Sequence, residues 1–451
     1  MSKALVLDLY ELTTAQAYFK SKKNALATFD LFIRSPRRPF YIACGIDDAL
    51  SFIEKLKFNK EDIDYLRELA LFDDDFLDYL KEFKFKGEIF SVEEPEIIFA
   101  QEPIMRVGAN IIEAQIIESI VLNKINLATT LATKAARVVT CAKDKAVYDF
   151  SLRRTQGIEA SLACAKYSYM AGAKGTSNML AGFLYKIPVA GTMAHSYVMS
   201  FEKEIDSFLA FAQSFPTKSI FLVDTYEVRK GIKSAIKIAK IMKHEGVNLL
   251  GIRLDSGNFL EDSKYARSLL DQEGLIDTII VASGNLDEYK IEKLVADKAP
   301  IDAFGVGTNM GCSSDLPYTD VLYKLVEIKS RGAEFMPTMK FSPEKLTLPS
   351  KKQVFRVFDG NGIMQSDSIG LCDEKIKGKK LMRKIMDKGV LLYKEKDIMK
   401  KKDILVKKME TIPSGLLRLE NKYIYPVKIS KRLSMLTKRL KAQIKKRISG
   451  Q

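Results

Sequence analysis

His195, in PVAGTMAHSYVMSF at residues 188–201, is one of only two histidines in 451 residues. The other, His244, falls in the helical stretch KIMKHEGV and reads as an ordinary hydrogen-bonding side chain. His195 follows a short apolar run and a Gly-Thr turn, a place where an imidazole can act as general acid or base, contact a phosphate, or accept a phosphoryl group. With no second histidine or cysteine beside it, metal ligation is not its expected work. In RLDSGN, Arg253 and Asp255 are two apart, so on a strand both face the same side. They form either an ion pair or a working site: a guanidinium grips a carboxylate or phosphate, while carboxylates at Asp255 and Asp224 can hold Mg2+ or stabilise developing positive charge. ASGN and FGVGTN place Gly284 with Asn285, and Gly307 with Thr308, in glycine turns directly after apolar runs. Such turns let backbone N–H groups approach a phosphate, and they also satisfy the steric needs of a tight βα connection.

The elements that must position these residues follow one pattern. From Val147 to Gly307, strand-like runs ending in small or polar residues alternate with helical stretches: VYDFSLRR, AKGTSN, IPVAGTMAH, SIFLVDTYE, LLGIRLDSGN, TIIVASGN and IDAFGVGTN. This alternation predicts a parallel sheet, closed as a barrel or doubly wound. In either architecture the carboxyl ends of the strands converge on one rim, where ligands bind. Arg153, Arg154, Ser177, Asn178, Thr192, His195, Asp224, Arg253, Asp255 and the two glycine turns all fall at those ends. Together they describe a pocket for an anionic, phosphorylated substrate.

The flanks read differently. Residues 1 to about 110 mix strands such as ALATFDLFI with acidic helices such as KEDIDYLRELALFDDDFLDYL, an α+β pattern, and a helix from ANIIEAQ onward leads into the βα alternation. Beyond Ile328 come Pro337, Pro343 and Pro349, Lys-rich segments and the strand-like GIMQSDSIGLCDE, which predict a smaller α+β or β region. The expected division is 1–112, 113–328, 329–426 and a tail at 427–451. That tail holds nine Lys and Arg and no acid, so it carries more than half of the net charge of +15. Ile429, Leu433, Leu436, Leu440, Ile444 and Ile448 recur every three or four residues, the stripe of a basic amphipathic helix. It is read as a terminal helix docked on its own domain, in preference to contact with nucleic acid, an anionic membrane or a protein partner. Five scattered cysteines with no C-x-x-C suggest neither a disulfide framework nor a zinc site, and with no leader or membrane span in view the expected setting is the cytoplasm.

DLYELT, DFSLRRTQG, GTSNMLAG, GTMAHSYV, LVDTY, GIRLDSGN, SGNLDEY, FGVGTN and KFSPEKLTLPSKKQVFR, in this order, resemble the nicotinate phosphoribosyltransferases, the type II phosphoribosyltransferase family. The resemblance extends to about Glu374. Ser151 stands where many relatives have Gly, and Asn258 where many have Asp. The resemblance implies an irregular, incomplete seven-stranded α/β barrel with an α+β domain built from the N-terminal region and part of the C-terminal region. It implies transfer of phosphoribose from 5-phosphoribosyl 1-pyrophosphate to nicotinate, giving nicotinate mononucleotide and pyrophosphate in NAD salvage. ATP hydrolysis would be coupled through a phosphorylated His195. Tyr10, from a neighbouring copy in a homodimer with shared sites, and Phe150 would sandwich the pyridine ring. Arg153, Arg253, Ser177 and Thr192 would contact nicotinate, Asp224 and Asp255 would lie near the ribose and its Mg2+, and Gly284, Asn285, Gly305, Gly307 and Thr308 would cradle the phosphoribosyl group. Nicotinamide-using relatives share the histidine and the RxDSGN motif, and they carry Asp where this chain has Ser177.

Overall fold

Short apolar runs bounded by small polar residues build a parallel sheet inside the unit Leu131–Pro317, one of two compact units in this computed structural model. The other unit comprises Met1–Thr130 with Tyr318–Gln451. The structure describes residues 4–22, 25–330, 332–341, 347–420 and 423–449, so the SPEKL stretch with Pro343 and the last two residues of the tail lie outside the described residues.

In the parallel unit the strands are β1 (Ala146–Asp149), β2 (Gly175–Thr176), β3 (Ile220–Leu222), β4 (Gly251–Leu254), β5 (Ile279–Ser283) and β6 (Ala303–Val306). Their order in the sheet is β2-β1-β6-β5-β4-β3, with every pair parallel. Side chains on both faces of the sheet are buried: Val147, Phe221, Ile252, Ile280 and Phe304 on one face are at most 1% exposed, and Leu222, Val281 and Ala303 on the other at most 5%. Continuous apolar strands are what a sheet covered on both faces needs. Of the seven expected strands, six form this ladder. The seventh, IPVAG, is reduced to a single parallel bridge between Val189 and Thr176. Its backbone makes one pair of bonds, Thr176 N–H to Pro188 O and Ala190 N–H to Thr176 O, both 3.0 Å. Pro188 has no N–H to extend the ladder. Among the described residues no backbone pairing joins this segment to β3, so the recorded ladder is open.

Register does the positioning. Asp149 pairs with Thr176 and with Val306, Ser283 with Gly305, Ala282 with Leu254, and Leu222 with Arg253. The six strands therefore end level, and the residues that follow them emerge at one edge.

The other unit is organised around an antiparallel sheet of seven strands in which N- and C-terminal segments interleave. Leu26–Ile33 lies between Pro103–Asn110 and Val321–Lys329. Val321–Lys329, expected at the end of the parallel domain, thus belongs to this sheet. Its core gathers Leu31, Leu50, Phe76, Ile104, Val107 and Ile112, each fully buried. A four-stranded sheet contains Lys352–Phe358 and Met364–Leu371, and Val427–Ile429 pairs parallel with the latter. The tail therefore opens with a strand that takes in Ile429 and continues as the helix Lys431–Ile448, capped by Ser430. Leu433, wholly buried against Ile369 and Leu371, docks the helix, whereas Ile448 is 73% exposed.

Candidate active site

Phe150, Arg153, Ser177, Thr192, His195, Arg253 and Asp255 line one open cavity of about 400 Å3. This is the size of a site for a small organic ligand. Leu222 at the end of β3 and the segment Gly191–Ser196 after the Val189 bridge also line it, although they come from opposite ends of the sheet order. The sheet curls so that side chains join edges its backbone leaves unpaired.

Arg253 is the hub. Its Nε donates to Ser283 Oγ at 2.7 Å, its Nη1 to Thr192 Oγ1 at 2.9 Å, and its Nη2 to Asp255 Oδ1. Ser283 also donates to Asp255 Oδ1. Burial pushes the Asp255 carboxyl up, but Arg253 and Ser283 outweigh it and hold the group below its ordinary range. The guanidinium carbon lies 5.7 Å from the centre of the Phe150 ring, so a planar anion over that ring meets a fixed cation. Gly305 seats the ring, since a Cβ there would fall 2.5 Å from two of its carbons.

His195 begins the short helix His195–Met199. Its Nδ1 is 3.1 Å from Thr225 Oγ1 and its Nε2 is 3.7 Å from Asp255 Oδ2. One ring nitrogen is thus engaged while the other faces a carboxylate beyond hydrogen-bond length. Asp149 ties two strand ends together: fully buried, it accepts from Ser151 N–H at 3.0 Å and Thr176 Oγ1 at 2.8 Å, and burial raises its carboxyl. Its own carbonyl accepts from Ser177 N–H at 2.8 Å. Phe150 and Ser177 are placed through it.

The two glycine turns sit on the neighbouring strands β5 and β6, and Asn309 connects them, donating at 3.1 Å to both Asn285 Oδ1 and Leu286 O. At Gly284, φ is +96° and a Cβ would meet the Asp255 carbonyl oxygen at 1.7 Å, so only glycine fits. Gly307 and the exposed Thr308 open the four-residue helix Thr308–Gly311. The first turn adjoins the cavity through Asp255 and the second through Phe150, and neither is part of its lining.

For a cation the donor set is oxygen. Asp224 is 8% exposed, and its Oδ2 accepts from Asp255 N–H at 3.1 Å and Ser256 Oγ at 2.6 Å. Its Oδ1 is buried and has no hydrogen-bond partner. Among the described residues no three acidic, histidine or cysteine side chains gather as a metal cage. The fit is to a hard cation such as Mg2+ that completes its shell with water and phosphate oxygens, Asp224 supplying the open oxygen. Asp255 is already committed to Arg253 and Ser283.

Tyr10 belongs to the other unit, second in the helix Leu9–Lys22, and is 48% exposed. The sequence reading missed Thr225, Ser283 and Asp149 as supporting groups. Each stands within or beside a quoted motif, so the signal was adjacency alone.

Comparison with known proteins covers nearly the whole chain. Residues 5–126 match the nicotinate phosphoribosyltransferase (NAPRTase) N-terminal domain, 146–342 the NAPRTase family, and 375–437 the nicotinate phosphoribosyltransferase C-terminal domain. Similarity therefore continues past Glu374 and into the basic tail. The nicotinate phosphoribosyltransferase pncB2 of Mycobacterium tuberculosis is 40% identical over 434 residues, covering 95% of this chain and 92% of the relative. The Bacillus subtilis nicotinate phosphoribosyltransferase is 34% identical over 463 residues, covering 95% and 93%. The crystal structure of human nicotinic acid phosphoribosyltransferase superposes with a TM-score of 0.85 at 24% identity, covering 97% of this chain and 100% of the other, and so shares the fold.

Proposed function

The chain belongs to the nicotinate phosphoribosyltransferase family, and from that membership we propose that it transfers phosphoribose from 5-phosphoribosyl 1-pyrophosphate to the ring nitrogen of nicotinate, releasing pyrophosphate and nicotinate mononucleotide for NAD salvage. The observation that carries this reading is the cavity in which Arg253, clamped by Thr192, Ser283 and Asp255, lies beside the Phe150 ring. A pyridine carboxylate offers that pair a flat ring to stack and an anion to bind in bidentate fashion. Arg153 adds a second guanidinium to the lining. The glycine turns at Gly284–Asn285 and Gly307–Thr308 present backbone N–H groups to the ribose phosphate, with Gly305 keeping the ring in place behind them. The anomeric carbon becomes cationic as pyrophosphate leaves, and the carboxylates of Asp224 and Asp255 stabilise that charge. Asp224 would hold Mg2+, whose charge would neutralise the departing pyrophosphate.

ATP coupling is assigned to His195. The contact with Thr225 orients the ring, and the free imidazole nitrogen accepts the terminal phosphoryl group of ATP, releasing ADP; water later takes the phosphoryl group as phosphate. We assign the second ring of the pyridine sandwich to Tyr10 of the partner subunit in a homodimer, a role its exposure leaves available. Mixing Tyr10→Ala with Arg153→Ala protein then restores part of the activity through hybrid dimers, whereas verified hybrids without recovery place each site within one chain.

The deciding assay supplies 5-phosphoribosyl 1-pyrophosphate and Mg2+ with nicotinate or nicotinamide, with and without ATP, and follows mononucleotide and ADP. The expected outcome is nicotinate mononucleotide, formed faster with ATP. Turnover of nicotinamide in place of nicotinate would overturn the substrate, and nucleotide formation indifferent to ATP would overturn the coupling.

A further inference from the structure

Lys134 precedes the first parallel strand, yet it ties together the segments that follow both glycine turns. It stands with Arg137 in the part of the helix Glu118–Ala142 that belongs to the parallel unit, and its side chain is 1% exposed. Its Nζ donates to Glu288 Oε2 at 2.5 Å and to Asp315 Oδ1 at 2.7 Å. Arg137 Nε donates to the other oxygen of Glu288 at 3.0 Å, so this wholly buried carboxylate is paired on both sides.

Each partner of Lys134 is bonded back to a turn. Glu288 opens the helix Glu288–Ala296 three residues after Asn285, and Asp287 caps that helix by accepting from Lys290 N–H at 2.8 Å. Lys290 Nζ donates to the Asn285 carbonyl at 2.7 Å, which fastens the first turn to the start of the helix. Asp315 lies seven residues after Thr308, where Ser314 N–H donates to Asn309 O at 3.3 Å and Ser313 N–H to Met310 O at 3.2 Å. The recorded pairing of β5 with β6 ends at Ser283 opposite Gly305. Beyond that level the two turns are joined by the Asn309 bonds to Asn285 and Leu286 and, through the segments that follow them, by Lys134. A buried ion pair tolerates little displacement, since losing one partner leaves uncompensated charge in a dry place.

We propose that Lys134 is a positioning residue for phosphate binding: by joining Glu288 to Asp315 it fixes the spacing of the Gly284–Asn285 and Gly307–Thr308 turns, and with it the affinity for the 5-phosphate of a phosphoribosyl substrate. Groups that converge on one ligand have to be held within about 0.5 Å of their productive places. Backbone donors on two separate turns meet that demand only if the turns cannot drift apart. This use of the turns rests on the proposed reaction, but the bridge itself does not.

The test is calorimetric binding of ribose 5-phosphate to the full-length protein, with steady-state kinetics alongside. Asp315→Ala is the cleaner variant, because the Asp315 side chain is 32% exposed and Lys134 keeps Glu288 when it is lost. It is expected to weaken ribose 5-phosphate binding about tenfold and to raise KM for 5-phosphoribosyl 1-pyrophosphate by the same factor, a fraction of the roughly hundredfold cost of a misplacement by about 1 Å. KM for nicotinate and the unfolding temperature stay near wild type, and Asp315→Glu, which keeps the carboxylate, loses less than Asp315→Ala. Lys134→Met shows the same split between the two KM values, with a lower unfolding temperature. Ribose 5-phosphate bound by Asp315→Ala as tightly as by wild type, or both KM values raised alike, would overturn the assignment. Weakened ribose 5-phosphate binding in a protein that makes no nicotinate mononucleotide would leave the bridge standing and remove only the reaction. An active enzyme whose ribose 5-phosphate affinity ignores Asp315 would do the reverse.

Discussion

Arg356 in the antiparallel unit and Arg253 in the parallel unit are both largely buried arginines among carboxylates, and they are finished differently. Arg356 donates to both oxygens of Asp367, at 3.0 and 2.6 Å, and to Glu96 at 3.1 Å, with a side chain only 2% exposed. Asp367 also accepts from Tyr425 at 2.9 Å, and Lys408 completes Glu96 at 2.6 Å. Beside them burial and Asp367 push the Glu102 carboxyl well above its ordinary range, which favours its uncharged form. Arg253, 12% exposed, spends its donors on Thr192, Ser283 and Asp255, yet it opens onto a cavity, and next to it Asp224 keeps one oxygen unpaired. A closed ion network locks chain segments together, because removing one partner strands the others. An open network retains capacity for something the chain does not supply. Burial of charge alone therefore does not mark a site; incomplete pairing beside a cavity does.

That contrast is sharpest at His195, which among the described residues hydrogen-bonds Thr225 and faces Asp255. His195→Ala is expected to abolish ATP hydrolysis and ATP stimulation with unfolding temperature preserved, while slow ATP-independent transfer survives on the other strand ends. Nicotinate-stimulated ATP hydrolysis by the variant would remove the phosphohistidine role. The two arginines give a crossed pair. Arg356→Met should cost about 3–5 kcal/mol of stability, the usual penalty for stranding buried partners, with KM unchanged in the folded fraction. Arg253→Met should lower kcat/KM on the order of 10²–10³-fold, the scale of losing a charge-stabilising donor, with little change in unfolding temperature. Equal stability losses from both would erase the distinction between closed and open networks.

Ser177 probes the open side more gently. A carboxylate there faces the carboxylate of nicotinate, so Ser177→Asp should shift the nicotinate-to-nicotinamide ratio of specificity constants toward nicotinamide by about a hundredfold. An unchanged ratio would move selectivity to Arg253 or Thr192. The smallest effect expected is at Glu11, fully buried beside Tyr10 and accepting from Ser119 N–H at 2.7 Å. Burial raises its carboxyl to about 8 from 4.5. An acid raised on folding favours the folded state below about pH 4.5, and that contribution fades as pH climbs through 8. Glu11→Gln should accordingly match wild type near pH 4.5 and exceed it in unfolding temperature at pH 8–9; parallel profiles would mean that Glu11 is not held protonated.

Five of the strands could be read because each is an apolar run closed by a small or polar residue, as in TIIVASGN, and the two-residue Gly175–Thr176 from its place in the alternation. IPVAG carries the same signal, yet Pro188 limits it to one bridge, a failure of hydrogen-bonding capacity that hydrophobic patterning does not register. The tail helix was legible from its stripe, but only Leu433 is completely buried and Ile429 went to a strand.

Local sequence determined which residues end strands and what chemistry their side chains can offer, since periodicity and turn composition act over a few neighbours. Whether those side chains meet was decided by register and by the curl of the sheet. The Thr192 hydroxyl lies 61 residues from the guanidinium it receives, Gly305 serves a ring on a neighbouring strand, and one Asp224 oxygen is left without a partner among the described residues. Hydrogen bonds and cation sites depend on distances of a few ångströms, and those distances are properties of packed segments.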